Sequence, residues 1–318
     1  MIKTLLKFLL AITLIVWLLT SGKLDFSLIR KAFTTGPQWL MALFLFFIQV
    51  AICSFRYKLL LETKSKINLQ YLKILRLNYI GVFFSSVLPG AVTGDLIKLI
   101  YVKKLDDHFS NTFLVSITLL DRIMGLTALL FLSGTFSFLY YSEMTSLSPR
   151  MAHVIFINGI LFIGACSFFM TLIAPKKYQD IIHILFIKIP FIGKKLSDQL
   201  NPIFALREKK KDLFICFTLS LFVQFLSILT FWLLTKPFIE QAFPLKYAFT
   251  FIPVGLTAMA IPISPGGLGV GHALFANLFS IVHIDNGASL FNLFFVCNLA
   301  HNCIGVIPYL TIRNKHLS

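Results

Sequence analysis

Apolar residues in this chain fall into long unbroken runs, and polar residues gather in the short stretches between them. Six runs stand out: Leu5 to Thr20, Trp39 to Phe55, Thr112 to Tyr141, Val154 to Ala174, Leu213 to Thr235 and Ser289 to Ile312. A helix rising about 1.5 Å per residue needs about 20 residues to cross a hydrocarbon core about 30 Å thick. The pattern predicts an all-α, polytopic membrane protein with about six spanning helices, for which lipid is the solvent.

Two further apolar stretches, Leu77 to Val102 and Tyr247 to Val282, are interrupted near their middles. The first carries Pro89, Gly90 and Gly94, followed by Asp95. The second carries Ser264-Pro265-Gly266-Gly267-Leu268-Gly269, followed by His272. Proline removes a backbone donor and glycine loosens a helix, so the freed polar groups must be buried in protein or line a wet cavity. Each stretch is expected to be a re-entrant hairpin that enters and leaves on one side and helps enclose a polar site.

Charge orients these elements. Arg56 to Arg76 carries six basic residues (Arg56, Lys58, Lys64, Lys66, Lys73 and Arg76). Lys176 to Lys211 carries nine (Lys176, Lys177, Lys188, Lys194, Lys195, Arg207, Lys209, Lys210 and Lys211). The loops on the other side are poorer: Lys23, Arg30 and Lys31, then Arg150, then Lys236 and Lys246. By the positive-inside rule the richer loops are cytoplasmic, and with six spans both termini are as well.

That count balances if neither broken stretch crosses, the first dipping in from the cytoplasm and the second from outside. The chain then reads as one transmembrane domain of two halves, approximately 1–141 and 152–318, in an inverted-repeat arrangement. Gly/Pro-broken segments at matching places in two halves point to a transport site at the midplane. The connection 176–211 is too polar to span, and Ile181 to Leu196 reads as a helix lying on the anionic inner leaflet.

Composition agrees: 57% of the residues are hydrophobic and 13% charged, and the mean hydropathy is +0.84. A net charge of +16 in a soluble chain would suggest nucleic acid, but here the basic residues sit in connections between spans, so no nucleic-acid partner is expected. The first run has lysines at its head like a signal peptide, yet it lacks an alanine-rich cleavage site and the charge count needs it as a span. Cys53, Cys166, Cys216, Cys297 and Cys303 lie in apolar segments without a CxxC pair, which argues for packing residues and against disulfides or a metal site.

A few ionisable residues sit where lipid should be. Asp95 and Lys98, one turn apart after the first break, are either the wall of a cavity meeting a phosphate or a helix cap with a snorkelling lysine. Asp121 and Arg122 lie deep in an apolar run, where an ionised group costs several kcal/mol unless paired or wet. Being adjacent, they point about 100° apart, so each needs a partner elsewhere: a cavity or a structural interhelix ion pair.

Arg56, at the end of its run, is a phosphate clamp or a membrane-surface anchor. The tip holding Ser264, Gly266 and Gly267 offers a hydroxyl and free amides, a nest for an anion or merely a tight turn. His272, Asn298, His301 and Asn302 line a cavity or bond between helices, and the last three share a helical face. No Walker loop, HExxH or GxSxG is present, so neither an enzyme nor a cofactor is expected.

Leu88-Pro89-Gly90 with Gly94-Asp95, Leu120-Asp121-Arg122, and Ser264 to Gly269 together resemble the flippase-like transmembrane family related to the membrane part of lysylphosphatidylglycerol synthetases. The resemblance runs over essentially the whole chain, in matching order. It implies a bacterial inner-membrane protein that moves lipids between leaflets, with Arg56, Asp95, Asp121 and Arg122 as cavity residues. The partners it implies are membrane lipids with anionic or polyprenyl-phosphate head groups, and a separate lipid-modifying enzyme.

Two features depart from that family. The soluble aminoacyl-transferring domain is absent, so lysyl transfer is not expected, and His272 stands about where the family often has a glutamate. Two other roles fit the same residues: a non-transporting partner that presents lipid to another enzyme, and a secondary transporter of a small anion.

Overall fold

The structure, a computed structural model, describes residues 27–88, 92–178, 200–240, 242–259 and 270–312. The run Leu5 to Thr20, the stretch Ile181 to Leu196 and the two break motifs at Pro89-Gly90 and Ser264 to Gly269 lie outside the described residues. Among the described residues all regular structure is helical.

The helices are α1 (Ser27–Thr35), α2 (Gln38–Glu62), α3 (Tyr71–Val87), α4 (Thr93–Val102), α5 (Asn111–Leu139), α6 (Tyr141–Leu147) and α7 (Arg150–Ile173). They continue with α8 (Lys210–Thr235), α9 (Leu245–Met259), α10 (Val270–Ser280), α11 (Gly287–Asn302) and α12 (Val306–Thr311). Among the described residues five stretches are long and apolar enough to cross a membrane: α2, α5, α7, Lys210–Phe238 around α8, and Gly287–Thr311, which joins α11 to α12. They coincide with five of the six runs read from hydropathy.

Local chemistry fixes several ends. Ser110 caps α5, its hydroxyl accepting the Phe113 amide at 3.1 Å. Leu88 and Ala174 leave α3 and α7 for extended backbone, at ψ 147° and 151°. Each precedes a proline, whose ring disfavours the α conformation in the residue before it. Helix α2 runs nearly two turns beyond Phe55, so Arg56 and Lys58 belong to the helix and not to the following loop.

A span, a helical pair and a second span recur twice: α2, α3 with α4, α5; then α8, α9 with α10, α11. Helices α3 and α4 fold back on each other antiparallel, with Lys98 beside Gly81 and Gly94 beside Ser85. Their backbones touch at Gly94, where a Cβ would overlap the Gly81 carbonyl oxygen and lie 2.6 Å from the Ser85 amide nitrogen. Gly305 does the same against the Tyr79 carbonyl oxygen of α3, seating the α11–α12 turn on that helix.

Helix α5 is central, with 61% of its apolar window buried, whereas α7 is peripheral with 22%. Phenylalanine rings join the second half: Phe231, Phe275 and Phe291 stack in sequence at centroid distances of 4.9 and 5.2 Å, tying α8, α10 and α11. Phe136 of α5 stacks on Phe249 of α9 at 4.3 Å. Large apolar side chains also face outward, among them Phe44, Phe156, Ile163 and Phe214, as lipid contact requires and water would penalise.

At one end of the bundle the loops after α2 and α4 are clamped together by Asp106. Its carboxylate accepts the Lys66 and His108 amides at 3.1 and 2.9 Å, the Ser65 hydroxyl at 2.9 Å, and lies 2.8 Å from the His108 ring nitrogen. These donors, the His108 amide first, hold the carboxyl well below the usual carboxylate range. A depressed folded-state pKa stabilises the fold fully above the unfolded value, near pH 4, and that stability drains as pH falls further. Wild-type protein in detergent should therefore lose melting temperature between about pH 5 and pH 3 more steeply than Asp106→Asn. Parallel curves would refute the clamp.

Candidate functional site

Five charged residues far apart in sequence meet among α2, α4 and α5. Arg56 is 5% exposed. Its Nε donates to Asp121 Oδ1 at 2.7 Å, one terminal nitrogen to the Asp121 carbonyl at 3.0 Å, and the other to Ser220 Oγ of α8 at 2.6 Å. Arg122, the next residue on α5, turns the other way and donates from Nε to Asp95 Oδ2 in the first turn of α4. The 100° offset between neighbours thus sends Asp121 toward α2 and Arg122 toward the α3–α4 pair.

Lys98 completes the set. Its ammonium lies 3.3 Å from Asp95 Oδ1, donates to Asn78 Oδ1 of α3 at 3.1 Å and sits 3.9 Å from the centre of the Tyr57 ring. It is 4% exposed, so it does not snorkel to the membrane surface. Asn78 in turn donates to Ser54 at 2.9 Å, and the Tyr57 hydroxyl meets Thr118 at 2.9 Å. Lys98 and Arg56 are thus each held by a neutral group that is itself held, Asn78 by Ser54 and Ser220 by the Cys216 carbonyl, which helps keep buried charges from being merely costly.

These groups border a cavity of about 460 Å³. Asp95, Lys98, Asp121 and Arg122 line it, with Arg56 behind Asp121. The lining also includes Gln49 and Cys53 from the middle of α2, Ser85 and Ser86 from the end of α3, and Asn298, His301 and Asn302 from α11. The site therefore lies at mid-span. Counting histidines as neutral, three cations stand against two carboxylates, so an anion entering the cavity would meet one surplus positive charge.

Of the residues singled out in the sequence, Arg56, Asp95, Lys98, Asp121 and Arg122 are brought together. Arg56 is a buried partner of Asp121 and not a surface anchor. His272 stands elsewhere, its ring edge-on to Phe291 at 5.0 Å and its Nε2 3.4 Å from Asn292. Ser264, Gly266 and Gly267 lie outside the described residues, as do the breaks Pro89, Gly90, Pro265 and Gly269; Gly94 is the close contact of α3 and α4. Gln49, Tyr57, Asn78 and Ser220 were missed. Among these, Gln49 and Asn78 carry the signal applied to the charges, a polar side chain inside an apolar run.

An all-α membrane protein with a charged mid-span cavity is the class that this fold and site define. Within that class, the chain belongs to the lysylphosphatidylglycerol synthase TM region family, whose model matches residues 4–295. A UPF0104 membrane protein of Pyrococcus horikoshii is 30% identical over 86 residues, which is 27% of this chain and 25% of that relative. The match thus spans about a quarter of that protein's length. No solved structure matches the chain.

Proposed function

We propose that this protein is a lipid translocator of the bacterial inner membrane, passing a phosphate-bearing head group between leaflets while the tails stay in lipid. One observation carries the reading: a mid-span cavity with a surplus of positive charge on paired, hydrogen-bonded side chains. Arginine and lysine held in fixed geometry suit phosphate oxygens, and an ion exchange within the network offsets the cost of bringing an anion to that depth. Membership of a family named for a lipid synthase's membrane region agrees with lipid handling.

The two α-helical pairs are the re-entrant hairpins of an inverted repeat in this reading. The end carrying Lys64, Lys66, Lys103, Lys104 and Lys209 faces the cytoplasm under the positive-inside rule, placing both termini there. Any change to the lipid itself belongs to a separate enzyme.

Purified protein in liposomes should move fluorescent phosphatidylglycerol between leaflets at least about tenfold faster than empty vesicles do. Arg122→Gln and Asp95→Asn should each remove most of that rate, about 1.4 kcal/mol or more of barrier. A wild-type rate equal to that of empty vesicles would sink the proposal in favour of a partner that presents lipid without moving it.

A further inference from the structure

The cavity lining is not charged throughout, and its neutral part has a chemistry of its own. Asn298 and Asn302 lie one turn apart on α11. Asn302 Nδ2 donates to Ser86 Oγ at 2.8 Å and to Asn298 Oδ1 at 2.5 Å. That engages the carbonyl oxygen of Asn298, a residue that lines the cavity, and its amide donor has no hydrogen-bond partner among the described residues. Gln49 is the complement: its Nε2 donates to Thr230 at 3.2 Å, and its carbonyl oxygen has no partner among the described residues. His301, which also lines the cavity, is held 3.3 Å from the Tyr79 hydroxyl and 3.3 Å from Asn302.

We infer that this neutral wall binds hydroxyl groups, so that the lipid taken up is an anionic phosphodiester whose outer substituent is a neutral polyol. The inference rests on the translocator reading for its phosphate. A hydroxyl both donates and accepts, and so answers the free donor of Asn298 and the free acceptor of Gln49. A head group without hydroxyls leaves both amides desolvated and unmatched. A cationic head group needs a carboxylate, and the two carboxylates of the cavity, Asp95 and Asp121, are already held by Lys98, Arg122 and Arg56. The same wall excludes amino-bearing lipids by offering no charge for them.

The test uses purified full-length protein in detergent and dihexanoyl lipids, with Kd read by thermophoresis. Phosphatidylglycerol and phosphatidylmethanol carry the same single negative charge and differ in the polyol. Phosphatidylglycerol should bind roughly tenfold tighter, as two added hydrogen bonds allow, and lysyl-phosphatidylglycerol more weakly than either. Phosphatidylglucose in parallel separates a sugar from glycerol, according to which binds tighter.

In Asn298→Ala the ratio between phosphatidylglycerol and phosphatidylmethanol should fall to about one. Asn298→Asp keeps the acceptor for Asn302 but adds a carboxylate, and should make lysyl-phosphatidylglycerol the tightest of the three. Equal binding of phosphatidylglycerol and phosphatidylmethanol by wild-type protein, or a ratio retained in both variants, overturns the polyol wall and leaves the translocator reading standing. Binding of neither lipid overturns both.

Discussion

Arg56→Met and Asp121→Leu are each expected to destabilise the protein strongly, and the double variant to regain most of that loss. The guanidinium of Arg56 reaches Asp121 at 2.7 Å from inside the helical bundle. Removing one partner leaves the other charge inside the bundle without its counter-ion, at a cost of up to about 3–5 kcal/mol. Removing both replaces two desolvated ions with apolar groups of similar size, a change that is often neutral or better.

Ser220 does not complicate the comparison, because its hydroxyl also donates to the Cys216 carbonyl at 2.7 Å and stays satisfied without Arg56. Detergent unfolding curves should place the double variant within about 1.5 kcal/mol of wild type. The double variant keeps the cavity's one surplus positive charge, Lys98 and Arg122 against Asp95, so any loss of lipid transport that remains once the fold is restored would belong to the missing ion pair itself. Additive losses, with the double variant the least stable of the three, would show that the pair is not coupled and that each residue is held by other contacts.

Five of the six expected spans are found among the described residues, legible in the hydropathy because apolar length is set by the membrane and not by neighbouring helices. The end of α2 was not legible there. Arg56 closes the apolar run at Phe55, yet the helix continues to Glu62 because Asp121, 65 residues away, accepts the charge. An apolar run marks where lipid is tolerated, whereas a helix ends where its backbone finds other partners. The α3 end, by contrast, is written locally: the proline after Leu88 forces it.

The site divides in the same way. Asp95, Lys98, Asp121 and Arg122 announced themselves because charge at membrane depth demands a partner. Which partner each takes depends on how α4 and α5 lie against α2, and spacing within one helix carries no information on that. Asn298, His301 and Asn302 shared a visible face of α11, but Gln49 and Ser86 join them through tertiary contact alone.

Gly94→Val should be among the most damaging single changes outside the ion cluster, and Gly81→Ala, its neighbour across the α3–α4 contact, close to silent. At Gly94 an added Cβ meets backbone: it overlaps the Gly81 carbonyl oxygen and lies 2.6 Å from the Ser85 nitrogen. Backbone cannot turn aside as a side chain does, so α4 has to move away. The cost should exceed about 3 kcal/mol, the upper end for overpacking.

At Gly81 the nearest atoms are Cβ and Cδ of Lys98 at 3.4 Å and the Gly94 carbonyl oxygen at 3.5 Å, van der Waals contact that asks for little or no movement. The helix gains up to about 1 kcal/mol when glycine becomes alanine, which offsets the crowding. Displacing α4 also carries Asp95 from Arg122 and Lys98 from Asn78, so Gly94→Val should abolish lipid transport even under conditions where it stays folded. If Gly94→Val unfolds and transports like Gly81→Ala, the two helices do not meet backbone to backbone. The placement of Asp95 and Lys98 at the cavity would then need another explanation.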